Sequence, residues 1–213
     1  MSNIESFRLH TLVALEYLGT AAFAVSGVLG AIRKRMDIVG ICVCGFLAAF
    51  GGGTLRDVLI DRRPFFWVEH QEALLGILLL CVACATFFKH QQLETSEKLL
   101  SIPDALGLGL FCTTGLHLSW TMGQPPAVAV MMGVVTGTFG GVLRDMACNE
   151  IPSLFRDHRP YAICALFGAS VYVVLAWMAM PEWVALAACT FVTTGTRLVT
   201  LWLNLKLPAV DFD

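Results

Sequence analysis

Charged side chains are scarce in this sequence of 213 residues, because aspartate, glutamate, lysine and arginine together make up only 14% of it. Soluble domains carry about 25% charged residues, so this scarcity excludes a water-soluble globular fold. Hydrophobic residues make up 57% of the chain, and the mean hydropathy is +0.73. The composition therefore predicts an all-α, polytopic membrane protein.

Sequence patterns typical of enzymes and of nucleotide-binding proteins are also missing. No G-x-S-x-G, H-E-x-x-H or Walker-type sequence occurs, and the glycine run at residues 51–53 lacks the Lys-Ser/Thr that would hold phosphates. No long basic tract is present, so nucleic acid is not an expected partner. We therefore expect neither an enzyme activity nor a cofactor, and no bound metal beyond a permeating ion.

The eight cysteines lie almost entirely within apolar runs. Cys81 and Cys84 have the C-x-x-C spacing of some metal and redox sites, but no second pair follows nearby. Free cysteine usually behaves as a small hydrophobic residue. The sequence therefore favours buried, apolar roles for these thiols.

Seven apolar segments are candidates to cross the membrane. A hydrocarbon core of about 30 Å requires about 20 helical residues, and the third segment is short by this measure. A polar connection at residues 89–98 separates the first three segments from the last four. We expect a first three-helix unit in residues 1–90, a second in 97–180 and a seventh helix in 182–205. The segments are residues 9–32, 38–60, 73–88, 99–120, 127–148, 161–180 and 183–205.

The basic residues of the connections predict the orientation in the membrane. With the N-terminus outside, most of them lie on the cytoplasmic side, as the positive-inside rule requires. We therefore expect an external N-terminus and a cytoplasmic C-terminus. The inner set is Arg33, Lys34, Arg35, Lys89, Lys98, Arg144, Arg156, Arg159 and Lys206, and the outer set is Arg8, Arg56, Arg62 and Arg63.

A glycine and arginine motif occurs twice. Residues 51–57 read Gly-Gly-Gly-Thr-Leu-Arg-Asp, and residues 139–145, which lie 88 positions later, read Phe-Gly-Gly-Val-Leu-Arg-Asp. This register predicts an internal duplication. Each copy contains three spans, an odd number, so the second copy must be inverted relative to the first. Further pairs at the same offset are Glu16 and Asp104, Gly19 and Gly107, Phe23 and Phe111, Gly27 and Gly115, Gly45 and Gly133, and Pro64 and Pro152.

The glycines themselves predict a local weakness in the helices. Each glycine costs about 1 kcal/mol of helix propensity relative to alanine, so we expect the helices to bend or open at these runs. Inverted repeats place a permeation or substrate site near the midplane, where discontinuous helices meet. The candidate glycines are Gly51, Gly52, Gly53, Gly140 and Gly141.

With two three-helix repeats, a seventh helix and the paired motif, the whole chain resembles the prokaryotic trimeric intracellular cation channels of the bacterial inner membrane. The resemblance implies a homotrimer in membrane lipid, with one pore for monovalent cations, chiefly K⁺, inside each protomer. It also implies second and fifth spans that bend at their glycines around the pore. Proteins of this kind are also catalogued under a name that implies glycine transport. Phe139 stands where the first motif has Gly51, so the fifth span is expected to bend less.

The two Arg-Asp pairs are candidate pore and gating residues. On a straight helix Arg56 lies roughly 27 Å from Ile38, near one membrane boundary, and Arg144 lies near the other. Ion pairs within a membrane commonly mark a pathway. The alternative is that both arginines snorkel to the interface and pair there with Asp57 and Asp145.

Three further charges lie inside the apolar spans. Glu16 and Asp104 need a cationic or hydrogen-bonding partner, or else a proton, because an unpaired buried carboxylate is costly. They are candidates for attracting cations, or for a capping or packing role near a helix start. Arg197, in the unduplicated seventh segment, is a candidate to line the pore or to neutralise Asp57 or Asp145.

Two functions remain open at this point. The first is a passive K⁺ channel, in which carbonyl dipoles and acids favour cations while the arginines limit or gate flow. The second is a secondary transporter for a small zwitterion such as glycine, with an arginine or helix N-terminus on the carboxylate and an aspartate on the ammonium group.

Overall fold

The structure is a computed structural model that describes residues 2–87, 97–156 and 160–205. Every regular element in these ranges is a helix. They are α1 (Ser2–Arg33), α2 (Ile38–Leu59), α3 (Phe66–Glu69), α4 (Gln71–Phe87), α5 (Glu97–Thr121), α6 (Pro126–Ala147), α7 (Ser153–Arg156), α8 (Tyr161–Trp177) and α9 (Glu182–Trp202).

Five of these helices are long and apolar enough to cross a membrane: α1, α2, α5, α6 and α9. The third and sixth predicted segments correspond to α4 and α8, which are apolar but have only 17 residues each. The short helices α3 and α7 were not predicted. Large apolar side chains cover the outer surface, for example Phe87 and Trp202, which are 83% and 80% exposed. Such a surface is typical of a protein that faces lipid.

Six helices, namely α1, α2, α4, α5, α6 and α8, pack in two matching sets of three. In the first set α2 packs on α1, and α4 covers both; in the second α6 packs on α5, and α8 covers both. The sets join through α1 against α5 and through α2 against α6, so these four helices form the centre. Helix α9 packs on α8 and α5, and among the residues that the structure describes it has no counterpart in the first set.

The central helices α2 and α6 also end in the same way. Asp61 and Asn149 follow them in the left-handed conformation, with φ of 54° and 55°. The next amides, of Arg62 and Glu150, donate to the carbonyl oxygens of Asp57 and Asp145 at 2.8 and 2.9 Å. This six-to-one hydrogen bond is the usual helix stop, and aspartate and asparagine tolerate the left-handed region. Each Arg-Asp pair therefore lies in the last turn of its helix.

We expected the helices to bend or open at the glycine runs. The backbone stays α-helical through both runs, so the opening is wrong, and the bend stays a prediction. The glycines instead allow α2 and α6 to touch. A Cβ on Gly52 would collide with the carbonyl oxygen of Thr136, and one on Gly140 would lie 2.6 Å from the carbonyl oxygen of Ala48. Gly140 lies 88 residues after Gly52, and Thr136 lies 88 residues after Ala48, so the two contacts are equivalent in the repeat. Membrane helices can approach each other this closely only where their residues are small. The packing gained in this way offsets the low helix propensity of glycine.

Some predicted features lie outside the described residues. Lys89, Arg159 and Lys206 belong to this group, as does most of the polar connection between the two units. The side chains of Arg8, Lys98 and Arg156 are likewise not described.

Candidate functional site

Glu16, Arg56 and Asp57 form a buried group that we call the first ion cluster. In the Arg56 guanidinium, Nε and Nη2 each lie 2.8 Å from Oδ1 of the adjacent Asp57. Its Nη1 lies 2.6 Å from Oε1 of Glu16, on α1. The arginine and the aspartate are fully buried, and Glu16 is 3% exposed. One guanidinium therefore bridges two carboxylates from two helices.

Asp104, Arg144 and Asp145 form the second ion cluster, at the equivalent positions of the second half. Nε and Nη2 of Arg144 lie 2.8 Å from Oδ1 of Asp145, and its Nη1 donates to Oδ1 of Asp104 at 2.6 Å. The same Nη1 donates to the Ser26 hydroxyl of α1. The second oxygen of Asp145 accepts from the amide and the hydroxyl of Ser153, both at 2.8 Å. The second cluster is thus better supplied with hydrogen bonds than the first.

A second arginine accompanies each cluster, but from a different place in the chain. Arg62, just after α2, lies 3.5 Å from Glu16 and 3.8 Å from Asp57. Arg197 of α9 borders the same cavity as Asp145 and stacks over the ring of Tyr161, with 4.5 Å from Cζ to the ring centre. Both sites therefore combine two acids with two arginines, which reduces the cost of burying charge.

The structure shows what surrounds these charges. Arg56 and Arg144 are 0% and 3% exposed, so both are enclosed by protein, and each pairs with the aspartate that follows it. Glu16 and Asp104 lie well inside α1 and α5, so the helix-capping alternative is wrong and the expectation of cationic partners is confirmed. Within the described residues Arg197 makes no ion pair with either aspartate, and its position near Asp145 rules out a role at Asp57.

The two clusters differ in their access to the surface. The second cluster borders a cavity of about 410 Å³, which we call the vestibule. Exposed Arg33 and Lys34 stand at its rim, so it opens outward. The first cluster borders a space of only about 10 Å³, whose lining includes Phe66 and Trp67. About one water molecule fits there, so the first cluster has much less open space beside it than the second. The vestibule is lined by Gly30, Arg33, Lys34, Leu100, Ser101, Asp104, Arg144, Asp145, Cys148, Glu150, Ile151, Ser153 and Arg197.

Phe23 and Phe111 stack on each other between the clusters, with ring centres 5.5 Å apart and 20° between the planes. They occupy equivalent positions, 88 residues apart, and are 0% and 4% exposed. Each ring lies over a glycine of the opposite helix: a Cβ on Gly107 would be 2.8 Å from Phe23, and one on Gly19 would be 3.2 Å from Phe111. We call this buried pair of stacked rings, one from each half of the chain, the aromatic layer.

The predicted site residues are thus brought together only in part. Gly53 borders Arg56 and Phe111, and Gly141 borders Asp104 and the Tyr161 hydroxyl, so both glycines line the clusters. Gly51 instead contacts the side chain of Leu143, at the helix crossing.

The sequence did not predict roles for Ser26, Ser153 or Tyr161, because none of them belongs to the repeated glycine and arginine motif. The aromatic layer was detectable, because the same residue type recurs at both repeat positions.

Comparisons with known protein families agree with this two-part architecture. The sequence model of a family described as Glycine transporter matches residues 13–90 and, separately, residues 101–177. The inner membrane protein YadS of Escherichia coli K12, from the group UPF0126, is 34% identical over 200 residues, which are 93% of this chain and 96% of the relative. The UPF0126 membrane protein YvgT of Bacillus subtilis 168 is 32% identical over 198 residues, with 93% and 96% covered.

Solved structures show the same fold. The trimeric intracellular cation channel orthologue of Rhodobacter sphaeroides is 35% identical, with a TM-score of 0.83, and the match covers 92% of this chain and 99% of that one. A second structure, described as the structural basis for conductance through TRIC cation channels, is 30% identical, also with a TM-score of 0.83. That match covers 94% of this chain and 97% of the other. The resemblance inferred from the paired motif is thereby confirmed. This chain is a multi-pass membrane protein that belongs to the prokaryotic trimeric intracellular cation channel family, whose sequence model carries the description Glycine transporter.

Proposed function

We propose that this protein is a channel for monovalent cations, chiefly K⁺, with one pore in each protomer between the two halves of the chain. The observation that carries the proposal is the pair of equivalent ion clusters, each with a buried arginine held by two carboxylates. Polar clusters inside a membrane protein are costly and usually mark an ion pathway. The related solved structures are described as cation channels, which supports the same function.

The route proposed for the ion follows the polar side chains. A cation enters the vestibule, where Asp104 and Asp145 attract it, and must then pass Arg144 to reach the middle of the protein. The arginine opposes the cation electrostatically, and its carboxylate partners hold it aside. Beyond it the ion meets the layer of Phe23 and Phe111, and then the first cluster. In the described conformation the vestibule has about 410 Å³ of space and the first cluster only about 10 Å³, which fits a closed state.

The arrangement in the membrane is part of the same proposal. We take residues 1–90 and 97–180 as inverted three-helix repeats and residues 182–205 as a seventh transmembrane helix, with the N-terminus outside and the C-terminus in the cytoplasm. The vestibule then faces the cytoplasm. A homotrimer surrounded by lipid follows from the family and would be tested by mass measurement in mild detergent. Helices α2 and α6 line the pore through their crossing rather than through an opened backbone.

The test is single-channel recording of the purified protein in a planar bilayer with symmetric KCl. A channel gives unitary current steps, because ions pass a water-filled pore much faster than a carrier turns over. Replacing K⁺ by Na⁺ in one chamber then gives the selectivity from the reversal potential. Absence of unitary steps, together with glycine uptake by proteoliposomes of the same preparation, would contradict the proposal.

That second outcome corresponds to a transporter for a small zwitterion such as glycine. The description of the matching family and one structural feature favour it as the alternative. Arg197, whose Nε and Nη1 have no hydrogen-bond partner within the described residues, borders the same vestibule as Asp145. An arginine and an aspartate that line one cavity could hold the carboxylate and the ammonium group of one amino acid.

Opening the aromatic layer should increase the current. Replacing Phe111 by alanine removes one of two stacked rings, so water should enter and the barrier between the clusters should fall. Phe→Ala changes in a core cost about 3–5 kcal/mol, so Phe111→Leu serves as the milder variant. We expect a higher open probability from both, measured in bilayers. Phe191→Ala is the control, because Phe191 is 76% exposed on α9. Currents equal to wild type in both Phe111 variants would exclude a barrier at this layer.

A further inference from the structure

Two thiols from different halves of the chain meet beside the second ion cluster. Sγ of Cys44, on α2, lies 3.6 Å from Sγ of Cys148, which immediately follows α6. Neither cysteine has a disulfide in this structure. Their sequence separation of 104 residues hides the pair from any spacing rule. The two sulfur atoms are in van der Waals contact.

The pair is both enclosed and reachable. Cys44 is 1% exposed, whereas Cys148 is 5% exposed and belongs to the wall of the vestibule. Its sulfur also lies close to Gly30 of α1, where a Cβ would approach it to 3.4 Å. A small oxidant in the vestibule therefore reaches Cys148 first, and Cys44 stands directly behind it as the resolving thiol.

We propose that Cys44 and Cys148 form a redox-sensitive dithiol site, which a peroxide-class oxidant converts to a disulfide that ties α2 to the end of α6. In this step the Cys148 sulfur is oxidised to a sulfenic acid as the peroxide O–O bond breaks and one equivalent of water or alcohol leaves. The Cys44 thiol then attacks that sulfur, the S–S bond forms and water leaves. Two electrons pass from the two sulfurs to the peroxide. The sulfur atoms must approach from 3.6 Å to about 2.05 Å, a movement within reach of side-chain rotation and a small backbone shift.

The position of the pair connects its oxidation to the second ion cluster. The Cys44 thiol lies 3.9 Å from the carbonyl oxygen of Arg144, and the Cys148 amide donates to that same oxygen at 2.9 Å. A disulfide therefore restrains the helix turn that carries Arg144. This consequence rests on the proposed channel function: if Arg144 must shift for a cation to pass, oxidation should lower the current. In a reducing cytoplasm the pair stays as thiols and would respond to oxidative stress.

The chemical test uses the folded full-length protein in detergent, treated with hydrogen peroxide. The thiols that remain are then counted by maleimide mass tagging after unfolding. We expect the wild type to lose two of its eight thiols and to regain them with dithiothreitol. Cys44→Ser should show no disulfide. Cys112→Ser is the control and should still lose two thiols. Cys112 and its neighbour Cys189 are both fully buried, away from the vestibule.

Peptide mass spectrometry of the oxidised wild type needs no variant and identifies the linked cysteines directly. A peptide that joins Cys44 to Cys148 supports the proposal. Eight remaining thiols, or a link between other cysteines, would overturn it. Bilayer recording separates the functional part: a formed disulfide with an unchanged current would refute the effect on conduction, whereas absence of current from the reduced protein would count against the channel function and leave the thiol result intact.

Discussion

Replacing Arg144 by glutamine should raise the unitary cation current and weaken its gating. A positive charge about 4 Å from a passing monovalent cation opposes it by roughly 4 kcal/mol at an effective dielectric constant of 20. Asp104 and Asp145 cancel a large part of this repulsion, so we expect an increase on the order of tenfold, which corresponds to about 1.4 kcal/mol. The measurement is single-channel recording at fixed voltage. Asp145→Asn should have the opposite effect, because it releases the arginine into the path.

The same reasoning applies to the first cluster, where Arg56→Gln should increase the current and Asp57→Asn should decrease it. Arg33→Gln is the matched control, because it removes one positive charge from the exposed vestibule rim. Its effect should be small, since water and salt screen exposed charges.

Folding must be controlled, because an arginine removed from a buried cluster leaves two carboxylates uncompensated, at a cost of about 3–5 kcal/mol. The double variant Arg144→Gln with Asp104→Asn removes one charge of each sign, so the net charge of the cluster is kept. It should fold better than Arg144→Gln alone. Size exclusion in detergent checks the state of each variant. Well-folded variants with wild-type current in all four single substitutions would show that the clusters only hold helices together.

Gly52→Ala should be among the most destabilising single substitutions in the chain. Its Cβ would collide with the Thr136 carbonyl oxygen, and backbone cannot rotate away as a side chain can. Overpacking of a core costs about 1–3 kcal/mol, and here the two central helices must separate to relieve it. We expect a clear fall in the unfolding temperature in detergent and a reduced current. Gly140→Ala should behave in the same way because of its contact with the Ala48 carbonyl oxygen.

Two other glycines provide matched controls. A Cβ on Gly53 meets only ordinary contacts, at 3.6 Å from Phe111 and 3.8 Å from Arg56, so Gly53→Ala should be mild. Gly76 has nothing within 4 Å, and Gly76→Ala should stabilise its helix by about 0.5–1 kcal/mol. If Gly52→Ala melts at the same temperature as Gly76→Ala, the tight crossing of α2 and α6 is not required for stability.

The sequence alone determined the class of the protein and showed a motif that recurs at a constant offset. Low charge and long apolar runs leave membrane-spanning helices as the only way to satisfy the backbone. The constant offset of 88 residues identified Glu16 and Asp104, and likewise Arg56 and Arg144, as equivalent positions. These features depend on composition and order along the chain, so no tertiary information was needed for them.

Only the tertiary structure decided which groups meet. Helix propensity predicted that the helices bend or open at the glycines, but they do not open, because tight packing of α2 on α6 outweighs a local penalty of about 1 kcal/mol per residue. Glu16 reaches Arg56 across 40 residues, and Arg197 borders the vestibule from an unduplicated helix, because helix crossings set which residues meet. A sequence period gives the face of a helix, yet it does not say which other helix that face will contact.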